Sequence, residues 1–203
     1  MDTHANTDRL KQAIKGKTVA IVGPAHSIIG TGQGELIDSH DIVIRFSHAV
    51  HIQHPPEDAG LKTDWIIVNG CVRRYIETHN LKPTAKIASI SRDIVRDFLY
   101  FRPHLDLETE RTYRVIPLLG TPTIKFAHDA GSQSIYIAGF DFFRTADSLC
   151  NTTRGEALNF RPHSDGSNLC HLAERDERWT RDFLKNKPNI KCDTTLSKIL
   201  STT

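Results

Sequence analysis

The chain has 203 residues, a length that fits one globular domain. Hydrophobic residues make up 38% and charged residues 25%, as in ordinary folded proteins, and the formal net charge is only +2. This weak charge argues against a nucleic-acid-binding protein and is compatible with an anionic small-molecule substrate.

The sequence lacks the features of membrane and secreted proteins. Its longest apolar runs, such as 19–22 and 65–68, are far too short to span a bilayer, and the polar residues 1–16 contain no signal-peptide core. The four cysteines are widely spread without a CxxC pair, which favours reduced thiols over a zinc site or a disulfide framework. We therefore expect a cytoplasmic protein without a transmembrane segment. Peripheral membrane contact and the oligomeric state stay open.

Short β-rich runs alternate with helical segments along the chain. Strands are predicted at 17–22, 41–46, 65–69, 86–90, 113–117, 134–140 and 190–192. Helices are predicted at 34–39, 72–79, 91–101, 121–130, 169–187 and 196–200, with a long loop at 141–168. This alternation predicts an α/β fold: a single Rossmann-like domain at 17–203, with a mostly parallel central sheet flanked by helices. A polar segment at 1–16 precedes it.

The turn after the first predicted strand is typical of a phosphate-binding loop. Backbone N–H groups in such a turn point at phosphates, although the same turn also occurs as a purely structural feature of α/β folds. The dinucleotide fingerprint GxGxxG fails because Ala25 and Ile28 replace two of its glycines, and no GK[ST] triplet follows a predicted strand. The binding residues predicted in this loop are Gly23, Pro24, Ala25, His26 and Ser27.

Two blocks of the sequence resemble the sialyl motifs of the family 29 sialyltransferases. Residues 17–23 (KTVAIVG) and 37–47 (IDSHDIVIRFS) are similar to the large motif. Residues 117–120 (PLLG) and 135–140 (IYIAGF), with Ala127 between them, are similar to the small motif. The resemblance implies a GT-A-like variant of the fold and a CMP-sugar donor. The nucleotide would lie against the first loop and against Ser47, Gly120, Gly139 and Phe140.

The catalytic candidates are two histidines near the end of the chain. His171 is followed five positions later by Asp176, which is similar to the very small motif His-x-x-x-x-Glu, whose histidine is the catalytic base. We place His171 in the first turn of the helix at 169–187, where Glu174 lies on the same face and could orient its ring. A purely structural role for His171 at the helix start stays an alternative. His163 is the candidate for the family's third motif, expected to donate a hydrogen bond to the departing phosphate.

The chemistry implied by the resemblance is a direct displacement with inversion, which moves sialic acid from CMP to a hydroxyl of a glycan acceptor. No metal is expected, because no Asp-x-Asp follows a predicted strand and a monophosphate leaving group carries less charge than a diphosphate. The family's donor-binding asparagines correspond here to Pro24 and Ser47, so a related acidic sugar such as Kdo is a second candidate. A non-catalytic nucleotide-sugar-binding module and a Rossmann-type oxidoreductase are the alternatives from other classes.

Four further positions bear on the compartment and the scaffold. The family's disulfide positions correspond to Val19 and Ser132, so both cysteines are missing together, which favours a reducing compartment and a bacterial-type enzyme. Arg45 has two interpretations of equal weight, one near the anionic donor and one in the scaffold beside Asp38 or Asp41. His40, within the same block, is interpreted as a support of the neighbouring strand.

Overall fold

The computed structural model describes residues 3–46, 54–68, 85–89, 114–115, 119–145, 158–162, 168–171 and 173–202. Its strands are β1 (Thr18–Val22), β2 (Ile42–Phe46), β3 (Trp65–Val68), β4 (Lys86–Ser89), β5 (Arg114–Val115), β6 (Ser134–Ala138), β7 (Leu158–Pro162), β8 (Asn168–His171) and β9 (Ile190–Cys192). Its helices are α1 (Thr3–Ile14), α2 (Gly34–Asp38), α3 (Pro56–Ala59), α4 (Gly120–Asp129), α5 (Ala173–Leu184) and α6 (Thr194–Ser201), with a 3₁₀ turn at His26–Ile28. The helices predicted at 72–79 and 91–101 lie outside the described residues.

The central sheet consists of six described strands in the order β4-β3-β2-β1-β6-β9, and all of its neighbouring strands are parallel. The three strands β2, β3 and β4 follow one another on one side of β1, whereas β6 and β9 lie on the other side. The strand order therefore reverses between β1 and β6. The predicted α/β fold with a mostly parallel sheet is confirmed, and each of these six strands begins and ends within two residues of its predicted range.

The sequence of β1, TVAIV, explains its central place. Val19 and Ile21 belong to a core cluster that also contains residues of α1, α4 and α6. Ala20 and Val22 point the other way, into a cluster with Ile37 of α2 and with α3. Because successive side chains alternate between the faces of a strand, a run that is apolar at every position needs cover on both faces, and helices supply it.

The polar segment predicted at 1–16 contains α1. Leu10 and Ile14 stand four residues apart, so they lie on one face of this helix, and both are buried in the core cluster of the sheet. The twelve residues of α1 contain only two large apolar side chains, so the segment is polar on average. For this reason the sequence predicts no helix there. Among the described residues, no helix is long and apolar enough to cross a membrane.

A second sheet of three strands, in the order β5-β8-β7, departs from the prediction. β5 runs parallel to β8, whereas β7 runs antiparallel to it. The loop predicted at 141–168 therefore contains β7, and the first three residues of the helix predicted at 169–187 belong to β8. The sequence of β7, LNFRP, ends in a proline, which is tolerated because β7 is an edge strand of this sheet.

Candidate active site

The strand order reverses between β1 and β6, and we call the region at the carboxyl ends of these two strands the crevice. In open α/β sheets, ligands bind at such a switch point because the loops that follow the two strands diverge to opposite faces. Gly23 directly follows β1, and Gly139 directly follows β6. The predicted loop at 23–27 and the predicted pair Gly139 and Phe140 therefore meet at one edge of the sheet.

The two glycines of this crevice are required by a close approach of their backbones. A Cβ on Gly23 would stand 2.3 Å from the carbonyl oxygen of Gly139, and a Cβ on Gly139 would stand 2.6 Å from that of Gly23. Gly139 also has a φ of +70°, in the left-handed region. A missing side chain at Gly139 would also suit the nucleotide that the resemblance places against this residue. The structure gives a nearer reason, since the backbone of the neighbouring strand end fills that space.

Gly120 and Phe140 form a second close contact beside this pair. A Cβ on Gly120 would lie 2.1 Å from a ring carbon of Phe140. The same ring packs edge-on against Phe46 at the end of β2, with the ring centroids 5.7 Å apart. Phe140 therefore joins the first turn of α4 to the carboxyl edge of the sheet. Contact of these two residues with a nucleotide stays a prediction.

The first loop is tied to the end of β6 by backbone hydrogen bonds. The Gly23 N–H donates to the Ala138 carbonyl at 2.8 Å, and the Ala25 N–H donates to the Gly139 carbonyl at 3.0 Å. The amide of Ala25, one of the groups expected to face a phosphate, is thus used within the protein. Ser27 differs from it, because its buried Oγ has no hydrogen-bond partner among the described residues. A buried hydroxyl of this kind needs a partner, which a ligand can supply.

His54 packs against this loop, a role that the sequence did not indicate. Its Nε2 lies 3.1 Å from the Pro24 carbonyl oxygen, and its ring packs edge-on against His26 with the centroids 5.6 Å apart. Pro24 has a restricted φ, so a hydrogen bond to its carbonyl makes the start of the loop rigid. No motif marks His54, which lies 30 residues after Pro24 in the sequence.

The glycine-rich segment that follows the first loop is held by a carboxylate. Asp58 of α3 is 5% exposed and accepts hydrogen bonds from the N–H groups of Gly30 at 2.7 Å and Gly32 at 2.8 Å. Both glycines have positive φ angles. The hydrogen bonds from Gly32 and Gly30 hold the pKa of Asp58 below its ordinary value. These glycines therefore shape the loop around Asp58.

We expect acid to weaken the fold partly through Asp58. Its folded pKa lies below the unfolded value of about 4, so the carboxylate stabilises the fold above about pH 4, and this contribution is lost as the pH falls through the lower folded pKa. Urea midpoints of wild type and Asp58→Asn should differ most at pH 7 and converge towards pH 3. Glu57→Gln, at the exposed neighbouring position, is the matched control. A gap between wild type and Asp58→Asn that stays constant across this range would contradict the assignment.

The IDSHD block of the large motif joins elements of the scaffold. Asp41 accepts from the N–H and the hydroxyl of Thr18 at the start of β1, at 2.9 and 3.1 Å. Asp38 accepts from the N–H groups of Leu61 and Lys62, each at 2.9 Å. The ring of His40 stacks on Tyr136 of β6, which agrees with its interpretation as a support. Because Asp41 and Thr18 stand at the amino ends of their strands, this part of the block lies at the edge opposite the crevice.

Arg45 belongs to the scaffold. Its guanidinium donates to the Ala59 carbonyl at 2.6 Å and to the Thr63 hydroxyl at 2.9 Å, with longer bonds to the carbonyls of Gly60 and Lys62. These groups come from the end of α3 and the segment that follows it. The scaffold interpretation therefore holds, although the hydrogen bonds go to carbonyls and a hydroxyl. Asp38 contributes through electrostatic attraction only.

His171 is the last residue of β8, where it pairs with Leu158 of β7, and α5 begins two residues later at Ala173. The expectation that His171 lies in the first turn of the helix is wrong. The expected orientation of the His171 ring by Glu174 is therefore wrong as well. A spacing of three residues places two side chains on one face only when both residues belong to the same helix. Glu174 is exposed on α5. His171 instead stands at the junction between the second sheet and α5.

The acidic residue of the very small motif is a link between two helices. Asp176 is 4% exposed and accepts a hydrogen bond from the Thr121 hydroxyl of α4 at 2.6 Å. Thr121 directly follows Gly120, which packs on Phe140. The helix that begins two residues after His171 is therefore fixed to the element that borders the crevice.

The turn that follows Phe140 carries backbone strain that the sequence did not indicate. Phe142 and Phe143 have φ angles of 52° and 59°, in the left-handed region that bulky residues rarely adopt. The carboxylate of Asp141 holds this turn by accepting from the N–H groups of Phe143 at 2.9 Å and Thr145 at 3.0 Å. Such strain persists only where the surrounding structure fixes it, and it is concentrated at functional sites.

The crevice thus brings together most of the predicted donor-binding residues. They are Gly23, Pro24, Ala25, His26, Ser27, Gly120, Gly139 and Phe140. Ser47 and His163 lie outside the described residues, and the structure describes His171 only by its backbone position in β8.

Comparison with known proteins gives a family and a fold. Residues 3–115, more than half of the chain, match the model of glycosyltransferase family 29 (sialyltransferase). The fold is similar to that of an apo alpha-2,3-sialyltransferase from Campylobacter jejuni, with a TM-score of 0.53 and 15% identity over 89% of this chain and 77% of that one. No curated protein matches the sequence.

Two further solved structures have the same fold. One is a mammalian sialyltransferase in complex with Gal-beta-1-3GalNAc-ortho-nitrophenol, with a TM-score of 0.50 and 15% identity over 94% of this chain and 79% of that one. The other is the sialyltransferase CstII from Campylobacter jejuni in complex with the substrate analogue CMP-3FNeuAc, with the same TM-score and identity over 90% and 84%. The matched residues 3–115 include the first loop and the IDSHD block. The chain belongs to glycosyltransferase family 29, the sialyltransferases.

Proposed function

We propose that this enzyme transfers sialic acid, or a related acidic sugar such as Kdo, from a CMP-sugar to a hydroxyl of a glycan, with inversion at the anomeric carbon. The observation that carries this proposal is the switch point of the sheet, where the strand order reverses and the loop after β1 is hydrogen-bonded to Gly139. Open α/β sheets bind nucleotides at this position. The complex of CstII with a CMP-sugar analogue supports the choice of donor.

The donor phosphate is assigned to the loop at 23–27. Ser27 supplies a hydroxyl without a partner among the described residues, and His26 lies beside it at the start of the 3₁₀ turn. The amide of Ala25 donates to the Gly139 carbonyl, so the phosphate is assigned to other groups of the loop. His163 is assigned the hydrogen bond to the departing phosphate oxygen, which stabilises the charge that develops there.

The base of the reaction is assigned to His171. Its imidazole removes the proton of the acceptor hydroxyl while the oxygen of that hydroxyl attacks the anomeric carbon. The bond from the anomeric carbon to the phosphate oxygen breaks, and CMP leaves with the electron pair. The hydrogen bond from the Thr121 hydroxyl to Asp176 supports this assignment, because it holds the start of α5 close to the crevice. The reaction as written uses no metal ion.

A cytoplasmic location is part of the proposal. Val19 and Ser132, which stand at the disulfide positions of the animal enzymes, are both buried. Val19 packs in the main core cluster, and the Ser132 hydroxyl donates to the Ala127 carbonyl at 2.8 Å. Both positions have roles that need no oxidising compartment.

A thermal-shift series tests the donor. At a concentration one hundred times its Kd, a ligand stabilises the native state by about 2.7 kcal/mol, which raises the Tm of a domain of this size by roughly 5–10 °C. We expect CMP, CMP-sialic acid and CMP-Kdo to give such shifts, and UDP-sugars and NAD to give none. The larger shift of the two CMP-sugars identifies the sugar. Selective stabilisation by UDP-sugars or by NAD would overturn the proposal.

A further inference from the structure

A buried carboxylate at the end of β9 holds the backbone of the crevice. Asp193 is 2% exposed, and its Oδ2 accepts a hydrogen bond from the Gly139 N–H at 2.8 Å. Its Oδ1 accepts from the Leu196 N–H at 2.7 Å, in the first turn of α6. The Asp193 N–H donates to the Ile137 carbonyl at 2.8 Å. One residue therefore joins β6, the residue after it and the start of α6.

Two successive hydrogen bonds carry this constraint to the first loop. The N–H of Gly139 is held by Asp193, and the carbonyl of Gly139 accepts from the Ala25 N–H at 3.0 Å. Gly139 has little freedom to shift, because its α-carbon faces the Gly23 carbonyl without room for a Cβ. The orientation of Gly139 therefore determines where the loop at 23–27 lies.

The cap of α6 alone does not explain a carboxylate at this position. Serine, threonine and asparagine cap helices about as well as aspartate, because one side-chain oxygen is enough for a cap. Asp193 uses both of its oxygens, one for the helix and one for Gly139. Burial raises the pKa of Asp193, and the backbone hydrogen bonds from Leu196, Gly139 and Thr195 act in the opposite direction. A buried carboxylate is costly, so its second contact indicates a requirement beyond capping.

We propose that Asp193 is a positioning residue for the transfer reaction, which acts through Gly139 to hold the loop at 23–27 in the conformation that binds the donor phosphate. This inference rests on the proposed function for the identity of the donor. The hydrogen-bonded connection from Asp193 to Ala25 does not depend on it.

The test separates the two roles of Asp193, the cap of α6 and the hydrogen bond to Gly139. Asp193→Ser keeps one oxygen for the cap of α6 and removes the second oxygen that holds Gly139. We expect amide hydrogen exchange at Gly139 and Ala25 to become about tenfold faster and the Kd for CMP to rise about tenfold, as for the loss of one charged hydrogen bond. The KM for the CMP-sugar should rise similarly, with a smaller change in kcat. Asp193→Asn, of the same size, should give intermediate values and serves if the serine variant does not fold.

The matched control is Asp41→Ser. It removes a carboxylate that also holds a backbone N–H of the central sheet, that of Thr18, but at the opposite edge. Exchange at Ala25 and the Kd for CMP should then stay within about twofold of wild type. Equal effects of Asp193→Ser and Asp41→Ser, or no effect of Asp193→Ser on either quantity, would overturn the inference. If wild type does not bind CMP, the proposed function fails, and the exchange rate of Ala25 alone decides for or against the role of Asp193.

Discussion

Replacing His171 with alanine lowers the kcat for transfer by about 10²–10⁴-fold, the usual contribution of a positioned general base. We expect the Kd for CMP to stay close to that of wild type, because in the proposed mechanism the base acts on the acceptor hydroxyl and the nucleotide lies against the loop after β1. Initial rates of CMP release from CMP-sialic acid and CMP-Kdo, together with calorimetric titration of CMP, measure the two quantities separately. Undiminished CMP release by the variant would show that His171 is not the base.

His40→Ala is the control for this experiment. His40 is also a histidine of the family's motifs, but its ring stacks on Tyr136 and its Nδ1 lies 2.8 Å from the Leu36 carbonyl oxygen. Its loss should lower the Tm slightly and leave kcat within about threefold of wild type, since an ordinary hydrogen bond contributes about 1 kcal/mol to stability. An equal loss of kcat in both variants would indicate general destabilisation.

Gly139→Ala has the largest expected effect on stability. The backbone of the new alanine would have a positive φ, which costs roughly 1–2 kcal/mol. Its Cβ would stand 2.6 Å from the Gly23 carbonyl oxygen. Backbone atoms cannot move aside as a flexible side chain can. We therefore expect a total loss above about 3 kcal/mol in the free energy of unfolding, together with loss of CMP binding. Urea unfolding measures the first effect and calorimetry the second.

Gly131→Ala isolates the contribution of φ. Gly131 has a φ of +80°, but a Cβ there would meet no atom within 4 Å. This variant should lose only roughly 1–2 kcal/mol and should keep its affinity for CMP. Similar losses of stability in the two variants would contradict the close approach of Gly23 and Gly139.

The central sheet could be predicted because its signals are local. β1, β2 and β6 are short apolar runs rich in β-branched residues, and each is bounded by residues that end strands. Gly23 follows the first predicted strand, as it does in the structure, whereas Gly139 was predicted inside the strand at 134–140, which ends at Ala138. The resemblance to the sialyl motifs identified both of these positions.

Two strands of the second sheet, β7 and β8, were not predicted, whereas β5 lies within the strand predicted at 113–117. β8 pairs with the neighbouring β7, but it also pairs with β5, which lies more than 50 residues earlier in the sequence. Residues 169–171 were predicted as the start of a helix, yet they belong to β8, which lies between Arg114–Val115 and Leu158–Pro162. In such strands the pairing decides the conformation, and the intrinsic preference is weak. This error moved His171 from a helix to the end of a strand.

The carboxylates that support the site were missed for a related reason. Asp58 holds Gly30 from 28 residues away, and Asp193 holds Gly139 from 54 residues away. Their partners are backbone N–H groups, which every residue except proline possesses, so no residue type marks the partner in the sequence. Only the folded chain shows these contacts.

The place of β1 in the sheet has a consequence for synthesis of the protein on the ribosome. β2 begins about 20 residues after the end of β1, whereas β6, which pairs with the other edge of β1, begins roughly 110 residues after it. The ribosome needs about 6–20 seconds to synthesise those intervening residues at ordinary translation rates. During this interval β1 exposes an unpaired apolar edge, of the kind that recruits other strands. We therefore expect the unpaired edge of β1 to be a site at which the nascent chain aggregates or binds a chaperone.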